Sequence, residues 1–437
     1  MGEMTRRVVI SGCGVVSPIG GSAEAVWDSL SNRRSGVDVI QSVPTETLPI
    51  KAAGEVSEFT GHISNFGQLD GAVKKTIRKG LKVMCREIEM GVAVAQLAMQ
   101  SSQLDLSQLD PERIGVVYGS DYIMTHPDEF TAGVAACLEG DRPFDFSDWA
   151  DKGMPRVTPL WLLKYLPNMP ACHVAIYNDL RGPNNSLTVR EASANLAIGE
   201  AVSTIQRGAA DQMIVGATGS RIHPLRTVHT VLQEQLATGE GDPTTLSRPF
   251  DLHRRGMVVG EGAAALVLED LASAQQRGAT IWGEVVGAGA SSVVGRDGMA
   301  KRDAALVNAI KATLANAKST PADIGHVNAH GLGTTRGDIA EARALQPLVS
   351  EADLPVVAVK SYFGNLGAAG GMVELVASLM ALKHGHLFAT LNYDTPDPEC
   401  PLPIVTDASR PSGDAVLNLN VSPQAQASAV LVRRFKA

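Results

Sequence analysis

The stretch LTVREASANLAIGEA, residues 187–201, places two charged side chains at a junction that often carries chemistry. Apolar and β-branched residues end at Val189, and an alanine-rich helical pattern follows. A nucleophile often sits at such a strand-to-helix elbow, because the helix N-terminus offers free N–H groups and a positive dipole end. Here the elbow carries Arg190 and Glu191, so the sequence predicts a carboxylate in a candidate active site.

Three further candidates lie in glycine-rich segments of the second half of the chain. His330 stands in NAHGLGTTRGD, and Lys360 and Asn365 stand in KSYFGNLGAAGG. Each also has a purely structural interpretation. His330 could be a hydrogen-bonded histidine at a strand end, and Lys360 could form an ion pair with Glu341. Asn365 could cap the helix that follows it.

The elements that position these residues follow from an internal duplication. Residues 93–120 and 305–331 each read as a helix, a polar turn with proline and a short apolar strand, with the strands beginning at 114 and 324. RRVVISGCGVVS near the N-terminus and WGEVVGAGASS at 282–292 both look like strands that end in glycine-rich turns. We therefore predict two similar α/β halves with buried central strands.

The boundary between the halves is predicted near SRPFDLHRRGMVVGEGAAALVLED, which gives halves 1–255 and 256–437. Between about 121 and 170 the pattern breaks into an aromatic-rich insertion. This segment could be a lid, a subunit interface or a substrate wall, or a structural excursion without a role in function.

Composition and charge exclude several classes of protein. The chain has 437 residues with 44% apolar side chains and a net charge of -8, which disfavours nucleic acid or an anionic membrane as the main partner. Its five cysteines form no metal-ligand cluster, and no apolar run reaches the roughly 18 residues of a membrane span. We expect a cytoplasmic protein with reduced thiols and no metal.

A dinucleotide cofactor is not expected either. SGCGVVSPIGG has a Gly-x-Gly after a strand, but Pro18 interrupts the helix that should follow. The third glycine of the motif is absent.

Four segments resemble β-ketoacyl-acyl-carrier-protein synthases, and most closely the type II elongating enzymes. They are RRVVISGCGVVSPIG, SRPFDLHRRGMVVGEGAAALVLEDLASAQQRGA, VNAHGLGTTRGDIAEARAL and KSYFGNLGAAGGMVELVASLMALKHG. The resemblance covers nearly the whole chain. It implies a thiolase-like α/β fold with duplicated halves in an α-β-α-β-α layered arrangement, and condensation of an acyl group with malonyl on acyl-carrier protein.

The family site uses a cysteine, two histidines, a lysine and a C-terminal loop rich in glycine and phenylalanine. The resemblance puts Glu191 at the cysteine position, His330 at the first histidine, Asn365 at the second and Lys360 at the lysine. Ser422 and Pro423 fall in the region of the loop. A carboxylate is a poor nucleophile toward a thioester, because the mixed anhydride that it forms is easily hydrolysed. We therefore expect ordinary condensation to be lost.

Three roles remain open for Glu191. It could fill the former oxyanion hole, paired with Arg190 or His330. It could act with His330 as a general acid or base, if burial raises its pKa. It could also serve malonyl decarboxylation, as glutamine does at this position in related branches, although an ionised carboxylate would repel malonyl.

The resemblance and the charge pattern together suggest partners. KKTIRKGLKVMCR, residues 74–86, is the densest basic cluster of an acidic chain. Its residues Lys74, Lys75, Arg78, Lys79 and Lys82 are candidates for docking an acidic acyl-carrier protein and its acyl thioester, or they form a solvated helix face. The resemblance also implies a dimer, either a homodimer or a heterodimer with an intact ketosynthase. In the second case the chain would act as a chain-length-factor-like subunit, and the alternative is an active enzyme with altered thioester chemistry.

Overall fold

The computed structural model describes residues 6–138, 142–239 and 241–436. Within these ranges the chain forms twelve strands and twelve α-helices. The strands are β1 (Val8–Val16), β2 (Asp38–Val39), β3 (Ala52–Gly54), β4 (Ile114–Ser120), β5 (Asn184–Thr188), β6 (Gln212–Ser220), β7 (Val259–Asp270), β8 (Gly283–Ser292), β9 (His326–Asn328), β10 (Val356–Val357), β11 (Ala415–Val421) and β12 (Gln426–Arg433). The helices are α1 (Ala23–Ser31), α2 (Gly71–Gly80), α3 (Arg86–Ser101), α4 (Asp128–Ala136), α5 (Met169–Asn178), α6 (Ser193–Gln206), α7 (Pro224–Gln233), α8 (Leu271–Gln276), α9 (Arg302–Ala317), α10 (Thr335–Ala352), α11 (Lys360–Phe363) and α12 (Gly370–His384).

The strand order shows the duplication directly. The main strands up to Asp270 run β5-β4-β6-β7-β1, and those from Gly283 onward run β10-β9-β11-β12-β8. When the five strands of each set are numbered by their order along the chain, both sets have the same order in the sheet: third, second, fourth, fifth, first. A short antiparallel pairing of Val8–Ile10 with Gly283–Val285 joins the two sets. The predicted pair of similar α/β halves is confirmed.

The helices form three layers around the strands. Helices α6 and α12 lie in the middle, where they contact each other and strands of both halves. Helices α3 and α5 cover the first set of strands on its outer side, and α9 and α10 do the same for the second half. The first thirteen residues of α12, Gly370 to Leu382, are buried, as expected for a helix packed on all sides. The α-β-α-β-α arrangement is confirmed.

The described part of segment 121–170 contains α4 and several short turns rather than regular β/α units. Its aromatic rings pack on one another: Phe130 contacts Trp149 and Trp161, and Phe146 stacks on Trp149 with ring centroids 6.5 Å apart. All five cysteines are free thiols. Among the described residues no helix is both long and apolar enough to cross a membrane.

Candidate functional site

Two equivalent elbows of the duplicated fold meet at the site. Glu191 lies in a 3-10 turn, Arg190–Ala192, between β5 and α6, and Asn365 precedes the 3-10 turn Gly367–Ala369 that leads into α12. The Asn365 amide Nδ2 donates to the Glu191 carboxylate Oε1 at 3.1 Å. Arg190 has a φ of 53°, in the left-handed region, which makes the turn from strand to helix sharp. The predicted strand-to-helix elbow is present.

The Glu191 carboxylate is held by arginine side chains. Arg221, which follows β6 directly, donates from Nη2 to Glu191 Oε1, and both side chains are only 1% exposed. The Arg190 Nε lies 3.6 Å from Glu191 Oε2, which confirms the predicted pairing with its neighbour. Glu234 joins the group, because its Oε1 accepts from Arg221 Nη1 at 3.0 Å and from Arg190 Nη2 at 2.5 Å. Sequence reasoning missed Arg221, whose only signal is a charge directly after a buried strand.

This cluster decides the ionisation of Glu191. Burial by itself raises the pKa of the carboxyl, but the guanidinium groups of Arg221 and Arg190 outweigh it and hold the pKa well below its usual value. The expectation that burial would raise this pKa is therefore wrong. The physical reason is that the pocket supplies a buried cation along with the low dielectric. Glu191 is ionised near neutral pH.

His330 lies two residues beyond β9 and is buried. Its Nδ1 faces two groups that can only donate, the Lys360 ammonium at 3.3 Å and the Asn420 amide nitrogen at 3.4 Å. Burial, and then the charge of Lys360, lower the pKa of His330 well below its ordinary value. The ring is therefore neutral with its proton on Nε2, and Nε2 has no hydrogen-bond partner among the described residues.

Lys360 is paired with Glu374 of α12, and both side chains are buried. The alternative that Lys360 forms its ion pair with Glu341 is wrong. The Glu341 carboxylate instead accepts the backbone N–H groups of His330 at 2.6 Å and Gly331 at 2.8 Å. Lys360 thus contacts both His330 and a buried carboxylate, as a positioning residue would. Glu374 was missed by sequence reasoning, although a single glutamate inside the apolar helix GGMVELVASLMALKH signals a buried ion pair.

Asn365 makes two side-chain contacts at the elbow before α12. Its Oδ1 accepts the backbone N–H of Gly367 at 3.0 Å, in the turn before α12 rather than at the N-cap of that helix, which is Ala369. Its Nδ2 donates to Glu191, and that bond leaves the amide fixed inside the site rather than open to a ligand.

A cavity of about 480 Å³ reaches the site from one side. Its lining includes His330, Glu234, Arg302 and Pro423 but not Glu191. Pro423 belongs to the C-terminal segment that the sequence singled out, and its carbonyl accepts from Arg302 Nε at 3.3 Å. The cavity therefore reaches the histidine, while the ion pairs of Glu234 lie between it and Glu191.

The basic cluster lies on α2 and the turn after it. Asp70 caps this helix, and Ile77 is its buried anchor. Five basic side chains of this cluster are exposed, and none of them is within 4 Å of a carboxylate in the described ranges: Lys74, Lys75, Arg78, Lys79 and Lys82. Arg86 differs, because it forms an ion pair with Glu261.

Comparison with known proteins gives a consistent match over the chain. The family model for the beta-ketoacyl synthase N-terminal domain matches residues 5–274, and that for the C-terminal domain matches residues 282–394. The chain is 33% identical over 413 residues to 3-oxoacyl-[acyl-carrier-protein] synthase 2 of Staphylococcus aureus, a match that covers 93% of each protein. It is 32% identical over 408 residues to the protein of the same name from Synechocystis, covering 93% of this chain and 92% of that protein.

Solved structures show the same fold. A beta-ketoacyl synthase from Burkholderia phymatum has a TM-score of 0.85 at 27% identity and covers 99% of this chain, which covers 100% of it. The ishigamide ketosynthase/chain length factor has a TM-score of 0.83 at 24% identity, with the same coverage.

Proposed function

Because the chain belongs to the β-ketoacyl synthase family, we propose that it is a non-condensing member that acts as a chain-length-factor-like subunit. In this role it pairs with an intact ketosynthase and binds acyl or malonyl groups on acyl-carrier protein. It does not form a covalent acyl intermediate of its own.

The observation that carries this proposal is the state of residue 191. The family resemblance assigns this elbow position to the nucleophilic cysteine, and here an ionised glutamate is paired with a buried arginine. A carboxylate held in this way is a poor nucleophile toward a thioester. Loss of the nucleophile from a coupled catalytic set costs roughly a millionfold in rate.

Two further departures support the same conclusion. Asn365, at the position proposed for the second histidine, directs its amide to Glu191 and to the turn before α12. Ser422 and Pro423 replace the flexible glycine- and phenylalanine-rich loop in the region assigned to it, and Ser422 is fixed by a hydrogen bond to the Gln426 side chain at 3.1 Å. Three changes around one pocket are consistent with a site that no longer condenses.

Assembly with a second subunit is supported by an open strand edge. β5 ends the order of strands in its half and leaves one row of backbone groups unpaired, which suits pairing with another chain. Helix α5 packs beside β5 and carries Ile176, which is 67% exposed. One solved structure of the same fold is a ketosynthase/chain length factor, and another is a type II ketosynthase with its acyl-carrier protein. We propose that the basic cluster on α2 is the surface that binds the carrier protein.

The test combines turnover with binding. Wild-type protein is incubated with acyl- and malonyl-carrier protein while thioester loss is followed, and its binding to an intact ketosynthase is measured separately. The proposal expects no turnover and tight binding. Turnover that Glu191→Ala abolishes would instead show an enzyme.

A second candidate is an enzyme with altered thioester chemistry, hydrolytic or decarboxylating, that uses Glu191 and His330. The observation in its favour is the unpartnered Nε2–H of His330, among the described residues, beside a cavity where it can donate to a thioester carbonyl. Against decarboxylation, an ionised carboxylate 4 Å from malonyl costs roughly 4 kcal/mol at an effective dielectric near 20. Turnover that is lost both in His330→Ala and in Glu191→Gln would favour this second candidate.

A further inference from the structure

Arg221 has a partner in the wall of one cavity and chain neighbours in the wall of another. Its partner Glu234 lines the cavity at His330, and its chain neighbours Ser220 and Ile222 line a second cavity of about 290 Å³. Neither cavity has Arg221 or Glu191 in its lining. The guanidinium of Arg221, bonded to both Glu191 and Glu234, therefore connects the elbow to a residue in the wall of the cavity at His330.

Arg221 lies near two other groups of charged side chains. In the first, Glu234 accepts from Arg221 and Arg190. The second is a buried pair, Arg226 with Asp121, whose side chains are 2% and 1% exposed. The position that a Cβ on Gly367 would take lies 3.6 Å from Arg221 Nε and 3.6 Å from Asp121 Oδ2, so the two pairs flank one point at the start of the turn before α12.

We propose that Arg221 is a second determinant of the closed site, independent of the residue at position 191. A cysteine placed at position 191 alone is acylated only slowly, because Arg221 keeps its bond to Glu234 and continues to occupy the approach to the elbow. Removal of the Arg221 side chain together with Glu191 opens space between the elbow and the cavity at His330 and admits an acyl chain. This inference rests on the proposed function, since it takes position 191 as the seat of the missing nucleophile.

Reactivity of the thiol does not explain such a block. In Glu191→Cys the thiol would lie beside a guanidinium and at the start of a helix, and both features lower a cysteine pKa and favour the thiolate. A thiolate that fails to react is one that the substrate does not reach. We therefore predict that the slow step in the single variant is entry of the acyl substrate to the cysteine at position 191.

The test compares Glu191→Cys with Glu191→Cys/Arg221→Ala, each incubated with octanoyl-coenzyme A and followed by intact-protein mass spectrometry. In the reaction a bond forms between the sulfur of the introduced cysteine and the acyl carbon, and the coenzyme A thioester bond breaks. Coenzyme A leaves as the free thiol with the proton of the cysteine. We expect acylation about tenfold to hundredfold faster in the double variant, because access in the single variant requires a charge-assisted hydrogen bond to break.

The matched control is Glu191→Cys/Arg226→Ala. It removes an equally buried arginine that forms no ion pair with Glu191 or Glu234 within the described part of the chain. This control should react as slowly as the single variant. Equal rates for the single and the Arg221 double variant would overturn the proposal, and so would an equal gain from the Arg226 control.

A milder variant covers the case in which the Arg221 double variant does not fold. Glu191→Cys/Glu234→Gln keeps the arginine but removes the anion that holds it, and Glu234 is 12% exposed. Faster acylation than in the single variant supports the proposal, and an unchanged rate overturns it. Wild-type turnover of carrier-bound thioesters would refute the proposed function, whereas these rates concern the cysteine-bearing variants alone.

Discussion

Glu191 and Arg221 form an ion pair in which each side chain is 1% exposed. They come from the ends of β5 and β6, the two strands that flank β4 in parallel, so the fold brings both residues to the same edge of the sheet. The elbow that suits a nucleophile here holds an anion and its counterion. We expect the stability of the protein, the pH dependence of that stability and the proposed lack of reaction with thioesters to depend on that pair.

Breaking the pair should destabilise the protein more than removing it. Glu191→Gln leaves a buried guanidinium without its main partner, and we expect the free energy of unfolding to fall by about 3 kcal/mol. Glu191→Gln/Arg221→Met removes both charges at similar volume and should recover most of that loss. Urea unfolding of the wild type and the three variants, including Arg221→Met, gives the double-mutant cycle. A loss in the double variant equal to the sum of the two single losses would show that the pair contributes no coupling.

The same pair predicts a pH dependence. The pKa of Glu191 is depressed in the folded protein, so its stabilising contribution is present above the unfolded-state value of about 4.3 and is lost as the pH falls below it. The stability difference between wild type and Glu191→Gln should therefore be constant near neutral pH and shrink in acid. Unfolding curves between about pH 3 and 7 test this. A difference that shrinks as the pH rises instead would mean that the pKa is raised.

The charge of Lys360 should help to keep the pKa of His330 low. Its charge is the second cause, after burial, of the low pKa of His330. In Lys360→Met the pKa of His330 should rise but stay below the ordinary value of about 6.5, because burial persists. In Lys360→Arg the cation remains and the pKa should stay low. The imidazole chemical shifts as a function of pH measure this, and no difference between the two variants would show that the Lys360 charge does not act on the ring.

The basic cluster predicts salt-dependent docking. Reversal of Lys74, Lys75 and Arg78 to glutamate should weaken binding of an acidic carrier protein at low salt, and the difference should narrow as salt screens the charges. The control is a reversal of three exposed basic residues on other elements, Arg296, Lys311 and Arg343. Carrier binding that is unchanged, or weakened equally by both triple variants, would dismiss α2 as the docking surface.

Periodicity and repeats are sufficient to predict the duplication. The helix-turn-strand pattern at 93–120 and 305–331 corresponds to α3 with β4 and to α9 with β9. Such elements can be predicted because the spacing of apolar residues along a short segment indicates a helix or a strand. The meeting of Glu191 and Asn365 also follows, since they occupy equivalent elbows of the two halves.

The charge state of the site could not be predicted in the same way. Arg221 lies 30 residues from Glu191 along the chain, and an arginine after a strand reads as a surface residue until the fold buries it. The sign of the Glu191 pKa shift depends on the guanidinium groups of Arg221 and Arg190. The boundary at residues 255 and 256 and the roles of the site residues remain predictions.

The loss of a covalent acyl intermediate is tested most directly by intact-protein mass spectrometry of the wild type, after incubation with acyl-carrier protein that bears an acyl thioester. Because Glu191 is held in an ion pair with Arg221, we expect the mass of the unmodified chain at every time point. A stable acyl adduct on any of the five cysteines would contradict the proposed loss of condensing chemistry.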